Sequence, residues 1–218
     1  MKKNKNVFWQ ALIITIFIFT FGILLGISFE SKRVEKIQEF NFDSHTTLFD
    51  FELVLDFVYN SNSTCEILLK KSVFFADKIY EEAKKLEKYD SSNKLIDEAI
   101  FLHRRYDFLR TLLWEELLGV KERCGEVNTI VYLYQYQDVP IKQKSIQETM
   151  SNNLLDLKNK YGDEIILLPI ATDNQLDSLD FLRQRYNLNK IPVIFINEKY
   201  KVEELEDLSK IENYLQKN

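Results

Sequence analysis

The stretch Arg185-Tyr186-Asn187-Leu188-Asn189-Lys190-Ile191-Pro192-Val193-Ile194-Phe195-Ile196-Asn197 decides the fold. Asparagines where a helix pattern ends, a proline, and then four β-branched or aromatic residues up to a turn make a helix-to-strand junction. Proline has no N–H to give to a ladder, so it can open a strand but cannot sit inside a central one. Pro192 therefore marks the first residue of a strand over Val193 to Asn197, and Glu198-Lys199 turns the chain into a short edge strand around Tyr200 to Val202. Working backwards from this junction, the pattern alternates. Ser178 to Leu188 reads as a helix, Glu164 to Ala171 as a strand, Lys142 to Tyr161 as a helix and Thr129 to Gln135 as a strand; forwards, Leu205 to Leu215 closes the chain as a helix.

Strand, helix, strand, helix, hairpin, helix, with Ile191-Pro192 entering the third strand, resembles the core of thioredoxin-like domains over about the last 90 residues. The resemblance implies an α/β fold, a cis peptide bond at Ile191-Pro192, and a surface groove beside that proline in which extended peptides are held. In active members of the family a Cys-x-x-Cys pair stands between the first strand and its helix, where the helix dipole stabilises a thiolate. The matching segment here is Tyr136-Gln137-Asp138-Val139-Pro140-Ile141-Lys142-Gln143. Aligned to Asp138 and Ile141, or to Gln137 and Pro140, neither member of the pair is cysteine. The family's catalytic residues therefore do not carry over, and the groove is expected to be lined by Ile191, Pro192, Asp138 and Tyr136.

The other end of the chain has a different solvent. Val7 to Phe29 contains no charged residue, and at about 1.5 Å per residue such a run crosses roughly 30 Å of hydrocarbon. The residues after Leu25, Gly26-Ile27-Ser28-Phe29-Glu30, offer a poor small-x-small cleavage site, so an uncleaved anchor is expected rather than a removed signal. Lys2, Lys3 and Lys5 before the run face Lys32, Arg33 and Lys36 after it; the free amino terminus tips this even count towards a cytoplasmic N-terminus with the bulk of the chain outside. Gly22 and Gly26 have the spacing that lets two membrane helices approach closely, which would make a homodimer, although glycine tolerated in a lipid-facing helix reads equally well.

Between anchor and α/β domain, residues 30–125 are expected to form a helical spacer, a hairpin or three-helix bundle, giving three parts: 1–29, 30–125 and 126–218. Glu30 to Asp43 is charged and only weakly periodic, a helical extension of the anchor or a juxtamembrane linker. Leu48, Phe51, Leu55, Val58 and Tyr59 share one stripe of a helix and Phe49, Leu53 and Phe57 another. Ser63 and Glu66 form a capping box for the next helix, Asp90-Ser91-Ser92-Asn93 breaks it, and a third runs from about Lys94 to Arg123 with Gly125 as its stop. Cys65 and Cys124 then fall at one end of an antiparallel pair. The arms differ by about six residues, some 9 Å of rise, against the 4.4–6.8 Å that a disulfide tolerates between Cα atoms. A structural disulfide, two unrelated buried thiols, and a redox-active pair with Cys65 in a helix first turn all remain open.

Composition excludes several classes. With 34 acidic against 29 basic side chains the net charge is −5, which argues against a nucleic-acid binder, since phosphate binding needs a basic face. His45 and His103 stand far apart without partners at metal-ligand spacing, no phosphate loop or nucleophile elbow occurs, and no metal or other cofactor is expected. His103-Arg104-Arg105 reads as the solvated edge of a helix, and Asn62-Ser63-Thr64 is a glycosylation sequon of frequent chance occurrence. The expected function is a membrane-tethered, redox-inactive thioredoxin-like module that binds or scaffolds protein or peptide outside the cytoplasm; the alternative is a thiol-disulfide oxidoreductase using Cys65 and Cys124.

Overall fold

The computed structural model describes residues 3–60, 64–90, 96–125, 127–206 and 208–216. Ser63 of the expected capping box and the break at Ser91-Ser92-Asn93 lie outside them, as does the side chain of His45. The chain divides into two compact units, Met1–Asp56 and Phe57–Asn218.

In the first unit, Glu30 to Asp43 takes the helical-extension alternative and joins the expected anchor to the Leu48 to Tyr59 helix without a break. One helix, α1, runs over Lys3–Asn60. Nothing in the sequence between Glu30 and Tyr59 is a proline or glycine, so the backbone has no reason to break. Within α1 the stretch Val7–Lys32 is long and apolar enough to cross a membrane. Its hydroxyls are turned back on the helix: Thr15 Oγ1 donates to Ala11 O at 2.9 Å, Thr20 Oγ1 to Ile16 O at 2.8 Å and Ser31 Oγ to Ile27 O at 2.8 Å, which leaves no bare hydroxyl at these three positions. A methyl group added at Gly22 or Gly26 would meet nothing within 4 Å. Leu53 and Phe57 are exposed; the other side chains of the two expected stripes lie outside those described.

In the second unit, α2 (Cys65–Asp90) and α3 (Ile96–Cys124) precede β1 (Asn128–Tyr134), α4 (Ile141–Tyr161), β2 (Ile165–Ala171), α5 (Asp177–Arg185), β3 (Val193–Ile196), β4 (Tyr200–Val202) and α6 (Leu208–Gln216). The order of elements is the one read from the sequence, and the Ile191–Pro192 bond is cis. Boundaries shift where backbone geometry wins over periodicity. α5 stops at Arg185 because Asn187 turns left-handed (φ +53°) and the Leu188 N–H reaches Arg183 O at 2.8 Å, a helix-ending bond. Leu205, expected to open the last helix, is half exposed ahead of α6.

The sheet has the order β2-β1-β3-β4, with β1 and β2 parallel and the other pairs antiparallel. Alternation along the strands sorts side chains onto two faces. Ile130, Tyr132, Ile165, Ile194, Ile196 and Val202 pack with Met150, Leu154 and Leu157 of α4 and Ile211 and Leu215 of α6. The opposite set, Val131, Leu133, Ile166, Leu168, Val193 and Phe195, is equally buried. That second face is covered by α3, with α2 also meeting β2 and α5 packed on α3; the buried Trp114 of α3 meets Phe195 edge-on at 6.2 Å and stacks on Tyr186 at 5.8 Å. The helical hairpin expected as a spacer thus belongs to one compact unit with the sheet. Both sheet edges are blunted, β4 by its three-residue length and β2 by Pro169, which an edge strand tolerates.

The β3–β4 turn ties this layer together. Asn197 and Glu198 both have positive φ, +51° and +54°, the geometry of a type I′ turn, which the Lys199 N–H closes on Ile196 O at 3.0 Å, and glutamate adopts it at a steric cost. The cost is offset by its carboxylate, which accepts from Trp114 Nε1 at 3.1 Å, from Thr129 Oγ1 at 2.8 Å and from Lys121 Nζ. Burial pulls the Lys121 ammonium below its ordinary pKa, and the Glu198 charge works against that. Glu198→Gln should strand this ammonium and lower stability by roughly 3 kcal/mol in urea unfolding, with much of the loss recovered in the Lys121→Met/Glu198→Gln double variant. A single variant as stable as wild type would show that the pair does not hold the turn.

Candidate functional site

Register fixes which segments meet. Tyr134 pairs with Ala171 and Leu133 with Val193, so Gln135 to Ile141, Thr172 to Gln175 and Ile191–Pro192 all lie at one end of the sheet, the carboxyl end of β1 and β2. In open α/β sheets this is the end at which ligands bind. The four expected groove residues share it: Pro192 is buried, Ile191 and Tyr136 are half-buried, and Asp138 is exposed in a left-handed turn (φ +49°).

The first of these segments is held by a glutamine clasp. The Gln135 N–H donates to Gln147 Oε1 at 3.0 Å and Gln147 Nε2 donates back to Gln135 O at 2.9 Å, while Gln143 Nε2 reaches Gln135 Oε1 at 3.1 Å. Next, the Asp173 carboxylate accepts the Tyr136 N–H at 3.0 Å and the Gln137 N–H at 2.6 Å. These bonds leave the tip, Asp138 to Ile141, as the free part. α4 starts there behind Pro140, with no side-chain cap, and Ile141 is 88% exposed.

Sequence reading placed no histidine near this site, yet α3 brings one. His103 stacks on Tyr136 with ring centroids 3.9 Å apart, and Arg104 Nη2 donates to Gln175 O at 3.1 Å. The expected solvated edge is thus only partly solvated. One turn on, Asp107 is fully buried: its carboxylate accepts the Ala171 N–H at 3.1 Å and Asn174 Nδ2 at 2.5 Å, with Arg110 Nη1 at 3.5 Å. Asn174 Oδ1 in turn accepts from Gln137 Nε2 at 3.3 Å. The only sequence signal for this network was a carboxylate within an otherwise inward-facing helical run, with arginine three residues later. Among the described residues no group of three or more His, Cys, Asp or Glu could hold a metal ion.

Cys65 and Cys124 form a disulfide with Cα atoms 5.4 Å apart. The expected 9 Å misfit is absent at this end because α2 begins and α3 ends at the two cysteines, with 26 and 29 residues. Gly125 stops α3 as expected, with φ +85° and its N–H on Lys121 O at 3.0 Å. The bond precedes β1 whereas the groove segments follow it, so the strand's length separates disulfide from groove. The Cys65→Ser/Cys124→Ser variant should lose roughly 2–4 kcal/mol of stability in urea, since the bond closes a loop with a sequence separation of 59 residues. An unchanged midpoint would contradict a structural role.

Burial pushes the Asp107 carboxyl up to about 6, against the pull of Arg110, the Ala171 N–H and Asn174. A carboxyl raised on folding binds its proton more tightly when folded, so its contribution to stability is present at low pH and is lost as pH rises from about 4 to 6. The stability difference between wild type and Asp107→Asn should therefore shift by roughly 2 kcal/mol against the wild type between pH 4.5 and 7. A difference constant across that range would place the Asp107 carboxyl at an ordinary pKa.

No protein-family model matches the chain, and no curated protein matches it. Among solved structures the chain is similar to thioredoxin O2 from Arabidopsis thaliana in its oxidised state, at 17% identity over 49% of this chain and 86% of that one, with a TM-score of 0.34.

Proposed function

We propose that the chain is a membrane-tethered, thioredoxin-like binding module that has no redox pair and holds extended peptide segments at the carboxyl end of its sheet, outside the cytoplasm. The element order, the β2-β1-β3-β4 register and Pro192 at the entry of β3 support the thioredoxin-like reading. One observation carries the function: where active relatives hold a nucleophilic sulfur, this chain presents Asp138-Val139-Pro140-Ile141 and leaves Ile141 88% exposed. Covering an aliphatic side chain of that size stabilises a complex by about 2 kcal/mol, so it is a binding group that costs nothing to uncover. The blunted sheet edges leave strand addition elsewhere disfavoured. A disulfide between the chain's two cysteines fits an oxidising compartment, and Val7–Lys32 supplies the tether.

The full chain in nanodiscs tests this reading. Insulin reduction should stay at background, and immobilised extended apolar peptides should retain the chain, with Ile141→Asp weakening retention about tenfold. Thiol-disulfide exchange above background that disappears in Cys65→Ser would favour the oxidoreductase instead. Equal peptide retention by wild type and Ile141→Asp would remove the groove from the account.

A further inference from the structure

Asp107 is not one of the expected groove residues, yet a chain of side-chain bonds connects it to the groove's first loop. Its Oδ1 is taken by the Ala171 N–H at 3.1 Å and Arg110 Nη1 at 3.5 Å, and its Oδ2 by Asn174 Nδ2 at 2.5 Å. The other half of the Asn174 amide, Oδ1, receives Gln137 Nε2 at 3.3 Å. Asp107 and Asn174 are both buried, so no solvent shell is at hand to rescue a mismatched donor.

We propose that Asp107 is a positioning residue that makes the groove responsive to pH, because protonating its carboxyl turns the Asn174 amide over and releases the Gln137 side chain. This rests on the reading of the Gln137 loop as one wall of the binding groove. The donor and acceptor count forces the sequence of events. With Oδ1 already facing two donors, an added proton goes to Oδ2, where it meets the Asn174 NH2 group, and two donors face each other at 2.5 Å. A half-turn of the Asn174 amide puts its oxygen towards the new O–H. The same half-turn points its NH2 at the Gln137 NH2, so the Gln137 Nε2 donation is lost and the Gln137 side chain has to move away or turn its own amide. Nothing is consumed and one proton is taken up.

The charges that act on the Asp107 carboxyl are those of Arg110 and Asp173, and α2, which packs on α3 and β2, carries Asp77, Lys78, Glu81 and Glu82. Arg110 lies on its own helix and His103 one turn earlier, Asp173 comes from the loop after β2, and β1 and β2 contribute no Asp, Glu, Lys, Arg or His. Arg110 favours the charged carboxylate and Asp173 the neutral acid; burial is the larger influence and brings the transition to about pH 6. Histidine is the other side chain that changes charge near neutral pH, so the test has to tell Asp107 from His103.

The full chain in nanodiscs, labelled with nitrogen-15 on asparagine and glutamine side chains, reads the switch directly by NMR between pH 5 and 7.5. The Asn174 and Gln137 NH2 signals should move together with one midpoint near pH 6. In Asp107→Asn, whose amide keeps the neutral form at every pH, both should be pH-independent; in Asn174→Ala the Gln137 signal should stop titrating. Three results would overturn the proposal: no titration of either signal in wild type, titration of Asn174 without Gln137, or a response that persists in Asp107→Asn, which would assign it to His103. No peptide is needed for this readout, so a chain that fails to bind peptides at any pH would count against the binding function and not against the switch.

Discussion

The constraint on which the rest of the second unit depends is that its sheet is apolar on both faces. β1 and β3 are buried over nearly their whole length, and only one face is covered by α4 and α6. A bare second face would leave Val131, Leu133, Val193 and Phe195 in water, at about 1.5–3 kcal/mol for each large aliphatic or aromatic side chain. α3 covers that face, with Trp114 against Phe195, α2 also meets β2, and the nine-residue α5 packs on α3 with Leu179 and Leu182 buried. From that packing follow the position of Lys121 beside the β3–β4 turn and the reach of Asp107 and His103 to the loops at the other end. A single helix thus braces the sheet at one end through Glu198 and at the other through Asn174.

This arrangement explains which parts of the molecule were legible in the sequence. Pro192 and the apolar run after it fixed β3, because a residue without an N–H has few permitted places next to a sheet. The alternation of strand and helix after Glu126 gave the element order correctly, since those signals are local. The partner of the sheet's second face was not legible. Leu102, Tyr106, Leu109, Leu113 and Leu117 mark an inward stripe, but a stripe names no partner, and the same residues suit a helical spacer and a helix laid on a sheet. Asp107 and His103 were overlooked for that reason: their neighbours come from loops some 30 to 70 positions later in the chain. The cysteine pair was half legible, its antiparallel geometry being visible and its helix lengths not.

The candidate site combines a tightly bonded loop with an exposed tip. Gln147, Asp173 and Asn174 occupy the polar groups of the loop up to Gln137. The next four residues end in an exposed isoleucine at a helix N-terminus. Pre-ordering a recognition loop lowers the entropy lost on association, so even a small apolar contact is felt in affinity. The disulfide joins the start of α2 to the end of α3, at the opposite end of β1 from Asp138 and Pro192.

The most direct test of this account is native-state hydrogen exchange of the full chain, comparing amides of α3 from Tyr106 to Val120 with those of β1 and β3. If α3 is a structural layer of the sheet domain, its amides should exchange only through the same global opening as the two central strands, with the same dependence on urea. A separate opening of α3 at lower free energy, while β1 and β3 stay protected, would contradict the account and return the hairpin to the role of an independent spacer.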